Sequence, residues 1–282
     1  MAGLKRVLGF WTVLFLSIAS ITGTGLFFGT SIGSSYSGNT SILAWIILSI
    51  AAVYISMYFA ELVSMYPKAG GIYEFSKHAY NTFFSFLMGW TAWLVGNLTT
   101  ALLVVAAIDY LIPDPSQFWL KVAISIFFII TLNLIAYFGI GASAFLLVIT
   151  TAIAMVVPLL VIFPGAFHIN AFNYSPFFTF GVSSIFVTIF FLAESFFGWE
   201  SATYLAEETI EPERTIPKAI IIGTIIVGIL SIFMAVVSLG VIPWKILADS
   251  NVPLSIVAER VLGNIGMEAI NIGIFMSLIG SA

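Results

Sequence analysis

The chain has 282 residues, of which 61% are hydrophobic and only 8% are charged, and its formal net charge is −4. A soluble domain carries about one quarter charged residues, so this composition excludes an ordinary soluble protein and indicates an integral membrane protein. The small acidic charge gives no support for nucleic-acid binding. The absence of cysteine excludes disulfide bonds and thiolate chemistry.

The apolar residues fall into successive runs that are long enough to cross a hydrocarbon layer of about 30 Å. We predict each run to be a transmembrane helix. In chain order the predicted spans cover about residues 7–32, 41–63, 82–112, 118–138, 143–163, 182–205, 216–242 and 265 onward. A short amphipathic helix on the membrane surface is predicted before the last span, because Ile256, Val257, Arg260 and Val261 have helical spacing.

The first span is interrupted by glycine near its centre. Gly23 and Gly25 flank Thr24, and each glycine costs a helix interior about 1 kcal/mol relative to alanine, so the pair predicts local unwinding. Unwound backbone at membrane depth needs partners, which a ligand can supply. Free N–H groups at 24–26 would face a carboxylate, and carbonyls at 19–21 would face a cation. Alternatively, the glycines only let another helix approach closely.

The sixth span carries a second interruption, at Gly198, with Glu194 and Glu200 beside it. Two interrupted spans in corresponding places of two halves are the best sequence indication of a transporter binding site. Carboxylates in a span face the bundle interior or water, and they mark ion and substrate pathways. Both glutamates are therefore candidates for carrying a proton or recognising a cationic group. For Glu200, a structural role bonded to the unwound backbone is the alternative.

The distribution of basic residues predicts the orientation in the membrane. With a cytoplasmic N-terminus, the residues inside would be Lys5, Arg6, Lys68, Lys77, Arg214 and Lys218, and those outside would be Lys121, Lys245 and Arg260. The inside thus carries the excess of positive charge. We predict a multi-pass protein of the cell membrane with its N-terminus in the cytoplasm and the lipid bilayer as its surroundings.

The sequence offers no constellation for catalysis. It has no nucleotide-binding Gly-Lys-Ser loop and no paired histidines with metal-ligand spacing. The acidic residues at 207–213 are interpreted as a solvated loop. We therefore predict no enzyme activity, no catalytic residues, no metal site and no cofactor.

Four motifs, taken in order, resemble the amino acid-polyamine-organocation transporters. They are SITGTGLF at 20–27, PKAGGIY at 67–73, FGWES at 197–201 and EPERTIPKA at 211–219. The resemblance implies an all-α integral membrane protein with the inverted-repeat fold of five plus five helices, in which helices 1 and 6 are discontinuous. Residues 1–166 would form the first repeat, with helices 1–5. Residues 167–282 would form an incomplete second repeat, with helices 6–8. Because family members usually continue through ten helices, the chain is interpreted as truncated.

The same resemblance implies a function. The chain would be a secondary active transporter of amino acids or related amines, with alternating access and a substrate bound between the unwound segments of helices 1 and 6. Coupling would be to H⁺, Na⁺ or a counter-substrate. The alternative is a membrane protein that binds amino acids or has a regulatory role without transporting them.

The resemblance also implies roles for individual residues. The amides of Thr24 and Gly25 would bind the substrate carboxylate, and the carbonyls of Ser20 and Ile21 would accept from its ammonium group. Asn97 is similar to an asparagine that lines the site in some relatives. The full set implied for substrate binding is Ser20, Ile21, Thr22, Gly23, Thr24, Gly25, Asn97, Glu194, Phe196, Phe197 and Gly198.

Gating and proton coupling complete the implied site. Phe27 or Trp199 would help to close it, and Glu194 and Glu200 are the candidates for proton coupling. Glu194 stands where several relatives place an aromatic gate, so the choice of substrate does not transfer from the family.

Overall fold

The computed structural model describes residues 6–137 and 140–282. Within these residues the protein is helical, and its β-type pairing is an isolated parallel bridge between Leu8 and Thr209. Seven helical stretches of the described chain are long and apolar enough to cross a membrane, and the first of them, Phe10–Met65, contains the first two predicted spans. The predicted all-α, multi-pass membrane class is therefore confirmed. Lys5 and the end of the predicted fourth span at Phe138 lie outside the described residues.

The α-helices of the described chain are numbered in order. They are α1 Phe10–Ile21, α2 Thr24–Ser37, α3 Ser41–Met65, α4 Ile72–Ala79, α5 Thr82–Leu111, α6 Phe118–Tyr137, α7 Ile140–Ala166, α8 Ser183–Leu192, α9 Trp199–Tyr204, α10 Pro212–Val241, α11 Trp244–Ala248 and α12 Pro253–Ser281. Short 3₁₀ helices cover Gly38–Thr40, Pro115–Gln117, Ala171–Tyr174 and Ala193–Phe196.

Local sequence explains several of these boundaries. The Asn81 side chain accepts hydrogen bonds from the N–H groups of Phe83 and Phe84 at 3.1 and 3.2 Å, which caps the start of α5. Pro212 begins α10, where the missing N–H of proline costs no hydrogen bond. Within α12, Gly263 has non-helical angles, φ 72° and ψ −177°. This kink separates the predicted short helix from the last predicted span.

Two hydrophobic clusters of buried residues hold the bundle together. One joins α2, α5, α7, α10 and α12, and the other joins α1, α3, α9 and α10. The long helix α10 contributes to both clusters, and its most extensive packing is against α3. The α1–α2 segment contacts α7 and α12 as well as α10, so it lies inside the bundle.

Backbone pairing fixes the chain just before α1. The N–H groups of Val7 and Leu8 both donate to the Glu208 carbonyl, at 2.9 and 3.0 Å, and the Ile210 N–H donates to the Leu8 carbonyl at 2.9 Å. We call residues 7–8, paired in this way with 208–210, the N-terminal strap. The strap ties the start of α1 to the segment that follows α9.

The opposite end of the α1–α2 segment is held by a different part of the chain. The Ser31 hydroxyl donates to the Ser250 carbonyl at 2.8 Å, and the Ser35 hydroxyl donates to the Ala248 carbonyl at 3.0 Å. Segments from the second half of the sequence therefore contact α1–α2 at both of its ends.

Candidate functional site

The first predicted interruption is present between α1 and α2. Helix α1 ends at Ile21 and α2 begins at Thr24. Thr22, with φ −78° and ψ 76°, and Gly23, with φ −95° and ψ −152°, lie between them in non-helical conformations. The helix is thus unwound for two residues where the sequence predicts a break, with Gly23 inside the break and Gly25 in the first turn of α2.

The N-terminus of α2 opens onto this interruption. The first N–H groups of an α-helix have no carbonyl partner within the helix, and at α2 no side chain caps them. The positive end of the dipole of this 14-residue helix is directed at the same place. The start of α2 is therefore suited to hold a negatively charged group.

The second predicted interruption is present between α8 and α9. A 3₁₀ turn covers Ala193–Phe196, Phe197 is extended, and Gly198 has φ 130°. This φ lies in the region that side chains rarely adopt, so glycine is required there. The Gly198 N–H donates to Glu200 Oε2 at 3.2 Å, so Glu200 stabilises the unwound backbone, as its structural alternative predicts.

The two interruptions meet each other directly. A methyl group built on Gly25 would lie 2.6 Å from the Cα atom of Ser195, and one built on Gly198 would lie 2.6 Å from the carbonyl carbon of Ser20. Close approach therefore explains Gly25 and Gly198. It does not explain Gly23, because a methyl group built there would have no atom within 4 Å. Open space lies beside Gly23.

Glu194 is brought to the start of α2. The Thr24 hydroxyl donates to its two carboxylate oxygens at 3.3 and 3.4 Å, and the glutamate side chain is exposed. In the described part of the chain it forms no ion pair. Thr22 adds a second polar group, since its hydroxyl is buried and has no hydrogen-bond partner among the described residues.

The aromatic candidates have different surroundings. Phe27 is fully buried in a hydrophobic cluster. Trp199 is also buried, and its indole N–H donates to the Thr224 hydroxyl at 2.9 Å. Phe196 packs edge to face on Trp45 with ring centroids 6.3 Å apart, whereas Phe197 is 55% exposed. A gating role for Phe27 or Trp199 remains a prediction.

In the described chain, Asn97 forms a hydrogen bond within its own helix and none to the interruptions. Its side chain is exposed on α5, and its amide donates to the Trp93 carbonyl of the preceding turn at 2.7 Å. A substrate contact for Asn97 remains a prediction that these contacts do not support.

Two serines at the interruptions were not found by sequence reasoning. Ser195 packs on Gly25, and the Ser281 hydroxyl donates to the Thr22 carbonyl at 3.2 Å. Serines are frequent in these helices, and no spacing in the sequence connects Thr22 with Ser281. Their involvement depends on how the helices pack.

Other features of the described chain do not add a metal or catalytic site. No group of three or more His, Asp or Glu in residues 6–137 and 140–282 is arranged to hold a metal ion. A cavity of about 490 Å³ lies away from the interruptions, between α5, α6 and residues 251–252. It contains the Lys121–Asp109 ion pair, with 2.7 Å between Nζ and Oδ1, so both charges are already satisfied.

Curated relatives align with 81–99% of the chain. The branched-chain amino acid permease BcaP of Bacillus subtilis is 24% identical over 98% of this chain and 63% of its own length. The serine/threonine exchanger SteT of Bacillus subtilis is 28% identical over 99% of this chain and 65% of its own length. The L-methionine/branched-chain amino acid exporter YjeH of Escherichia coli is 31% identical over 81% of this chain and 55% of its own length. The chain thus spans less than two thirds of each relative.

The family assignment follows from a match across the chain. Residues 8–282 match the amino acid permease family, which confirms the resemblance indicated by the four motifs, and the family and its named relatives are transport proteins, not enzymes. This chain, with its two interrupted helices in contact, belongs to the amino acid permease family.

Proposed function

We propose that the chain is a secondary active transporter of amino acids or related amines. The observation that carries the proposal is the contact between the two interrupted helices, next to an uncapped helix N-terminus and the unpaired Thr22 hydroxyl. Family membership and the names of the relatives, all of which are amino acid permeases, exchangers or exporters, support an amino acid as substrate.

The substrate binds between the α1–α2 and α8–α9 interruptions in this proposal. Its carboxylate accepts from the N–H groups at the start of α2, near Thr24 and Gly25. Its ammonium group donates to backbone carbonyls at Ser20 and Ile21, and at Phe196 and Phe197. The open space beside Gly23 leaves room for the ligand.

Transport then proceeds by alternating access. The N-terminal strap and the Ser31–Ser250 contact hold opposite ends of the α1–α2 segment, and each would open in turn. Helix α3 follows the first interruption, α10 follows the second, and the two pack against each other. This relationship supports two related repeats, at 1–166 and 167–282.

Transport is coupled either to an ion, H⁺ or Na⁺, or to the exchange of a counter-substrate. Glu194 is the stronger candidate for carrying a proton, because Glu200 already binds the Gly198 N–H. The excess of Lys and Arg in the loops on the N-terminal side supports a cytoplasmic N-terminus in the cell membrane.

Uptake into proteoliposomes tests the proposal. The purified chain should give saturable uptake of a labelled amino acid or amine that depends on an ion gradient or on a counter-substrate. Gly23→Ala should raise the KM about tenfold or more, because its methyl group fills ligand space, without lowering the melting temperature. Gly96→Ala is the matched control, since a methyl group there also meets no atom within 4 Å.

The possible outcomes are distinct. Ligand binding without flux would replace transport by the binding or regulatory alternative. Unchanged uptake by the Gly23→Ala variant would remove the ligand from the first interruption.

A further inference from the structure

The two interrupted segments have an unbalanced charge. Residues 10–37 and 183–204 supply all the helices of the interruptions, and both ranges lie within the described chain. Their charged residues are Glu194 and Glu200, and they contain no Lys, Arg or His. The site therefore has two carboxylates and no basic side chain of its own.

The neighbouring helices do not neutralise Glu194. Helix α3 contributes Glu61 as its charged residue, and α5 contributes Asp109, which is paired with Lys121. The basic residues of α10, Arg214 and Lys218, lie in its first turns and are exposed. Within the described part of the chain, no basic nitrogen lies within 4.0 Å of the Glu194 carboxylate.

Glu194 and Glu200 differ in what they bind. Glu200 accepts from the Gly198 backbone, so its charge serves the local structure. Glu194 accepts from the Thr24 hydroxyl, at 3.3 and 3.4 Å, and its side chain is exposed. The Glu194 carboxylate is therefore free to meet a ligand. A second, independent feature of the site is the buried Thr22 hydroxyl, which makes no hydrogen bond among the described residues.

We infer that this site selects ligands with a net positive charge, namely basic amino acids, and that Glu194 is the residue that determines this preference. The inference rests on the proposed function. A basic amino acid places its side-chain cation against Glu194 while its carboxylate binds the start of α2. A neutral amino acid leaves Glu194 unpaired, and its carboxylate enters a site that already holds a negative charge.

The relatives sharpen this inference. Their names specify branched-chain amino acids, serine, threonine and methionine, whose side chains are uncharged. A preference for basic amino acids would therefore set this chain apart from them.

Lysine and norleucine form the matched ligand pair, because they share one carbon chain and differ in the terminal ammonium group. Binding is measured by titration calorimetry on the purified chain in lipid nanodiscs. Lysine should bind about tenfold or more tightly than norleucine. Glu194→Gln should remove this difference, whereas Glu61→Gln, which removes an exposed carboxylate of α3, should retain it.

The length of the ligand's side chain provides a second readout that does not depend on the glutamine variant. Glu194→Asp withdraws the carboxylate by one methylene group. The preference between ornithine and lysine should therefore shift towards lysine, the longer ligand, relative to the wild type.

Each outcome decides a separate point. Equal binding of lysine and norleucine overturns the inference and leaves the proposed transport function standing. A lysine preference that survives Glu194→Gln, or an unchanged length preference in Glu194→Asp, overturns the role of Glu194. Absence of binding by both ligands, by all other amino acids and by related amines overturns the proposed function itself.

Discussion

Ser195 lies against the backbone of Gly25, at the point where the two interrupted helices meet. A methyl group on Gly25 would come 2.6 Å from the Cα atom of Ser195 and would also overlap its side chain. Because a backbone atom is involved, a change of rotamer at Ser195 does not relieve the overlap. The contact between the two halves of the site therefore depends on glycine at position 25.

Gly25→Ala should separate the two interruptions. Overpacking in a closely packed interior costs about 1–3 kcal/mol, so we expect a lower melting temperature and weaker ligand binding. Adding Ser195→Gly should restore only part of the loss, because the new methyl group still overlaps the backbone at position 195. Gly96→Ala should be neutral or stabilising in the same thermal unfolding assay. Full recovery in the double variant would show that the serine side chain alone causes the overlap.

Val7→Pro should open the N-terminal strap. Proline removes the N–H that donates to the Glu208 carbonyl at 2.9 Å, a loss of about 1 kcal/mol. The Val7 side chain is 65% exposed, so its replacement costs little packing. Hydrogen exchange at the Ile210 N–H, which donates to Leu8, should become faster. Val7→Ala keeps the N–H, and faster exchange in this control as well would contradict the explanation.

Thr224→Val should destabilise the packing of α9 on α10. The Thr224 hydroxyl accepts from the Trp199 indole N–H at 2.9 Å, and both residues are buried. Valine would leave the indole N–H buried without a partner, which costs about 1–3 kcal/mol. Thr224→Ser retains the hydroxyl and should recover most of this hydrogen-bond energy in chemical unfolding. Equal losses in the two variants would indicate that the methyl group, not the hydrogen bond, matters.

The stability of the loop before α6 should depend on pH in the acid range, because the Asp114 carboxylate accepts hydrogen bonds there. The N–H and the hydroxyl of Ser116 donate to its carboxylate at 2.9 and 2.8 Å, and these bonds hold the pKa of Asp114 below its usual range. The loop is therefore favoured above the ordinary aspartate pKa of about 3.9. This contribution is lost as the pH falls through the lowered folded value.

A carboxyl titration followed by NMR measures this pKa. Ser116→Ala removes the hydroxyl donor and should raise the Asp114 pKa towards its ordinary value, while Ser116→Thr should leave it low. An unchanged titration in Ser116→Ala would contradict a role for the serine hydroxyl and assign the shift to the backbone N–H of Ser116, the Gln117 side chain and Lys121.

The sequence predicted the helices and the positions of both interruptions. These features depend on local properties, because apolar run length sets a span and the conformational freedom of Gly23 and Gly198 sets a break. The predicted third span, at about 82–112, agrees with α5 at Thr82–Leu111. The first span is different, since it was predicted to begin near Val7 but α1 begins at Phe10. The hydropathy of residues 7–8 does not reveal that their backbone N–H groups donate to the Glu208 carbonyl.

Only the tertiary structure decided which residues meet. Gly23 and Gly25 look alike in the sequence, yet one borders open space and the other packs against Ser195. Asn97 was predicted to line the site, which stays a prediction, and in the structure its amide donates to the Trp93 carbonyl of its own helix.

The sequence by itself therefore determined the membrane class, the family and the two interruptions, because composition and glycine act within a few residues of the chain. The tertiary structure decided that Ser195 and Ser281 reach the first interruption and that Glu194 lies beside Thr24. Such contacts depend on the rotation and crossing of helices far apart in the sequence, which no local pattern records.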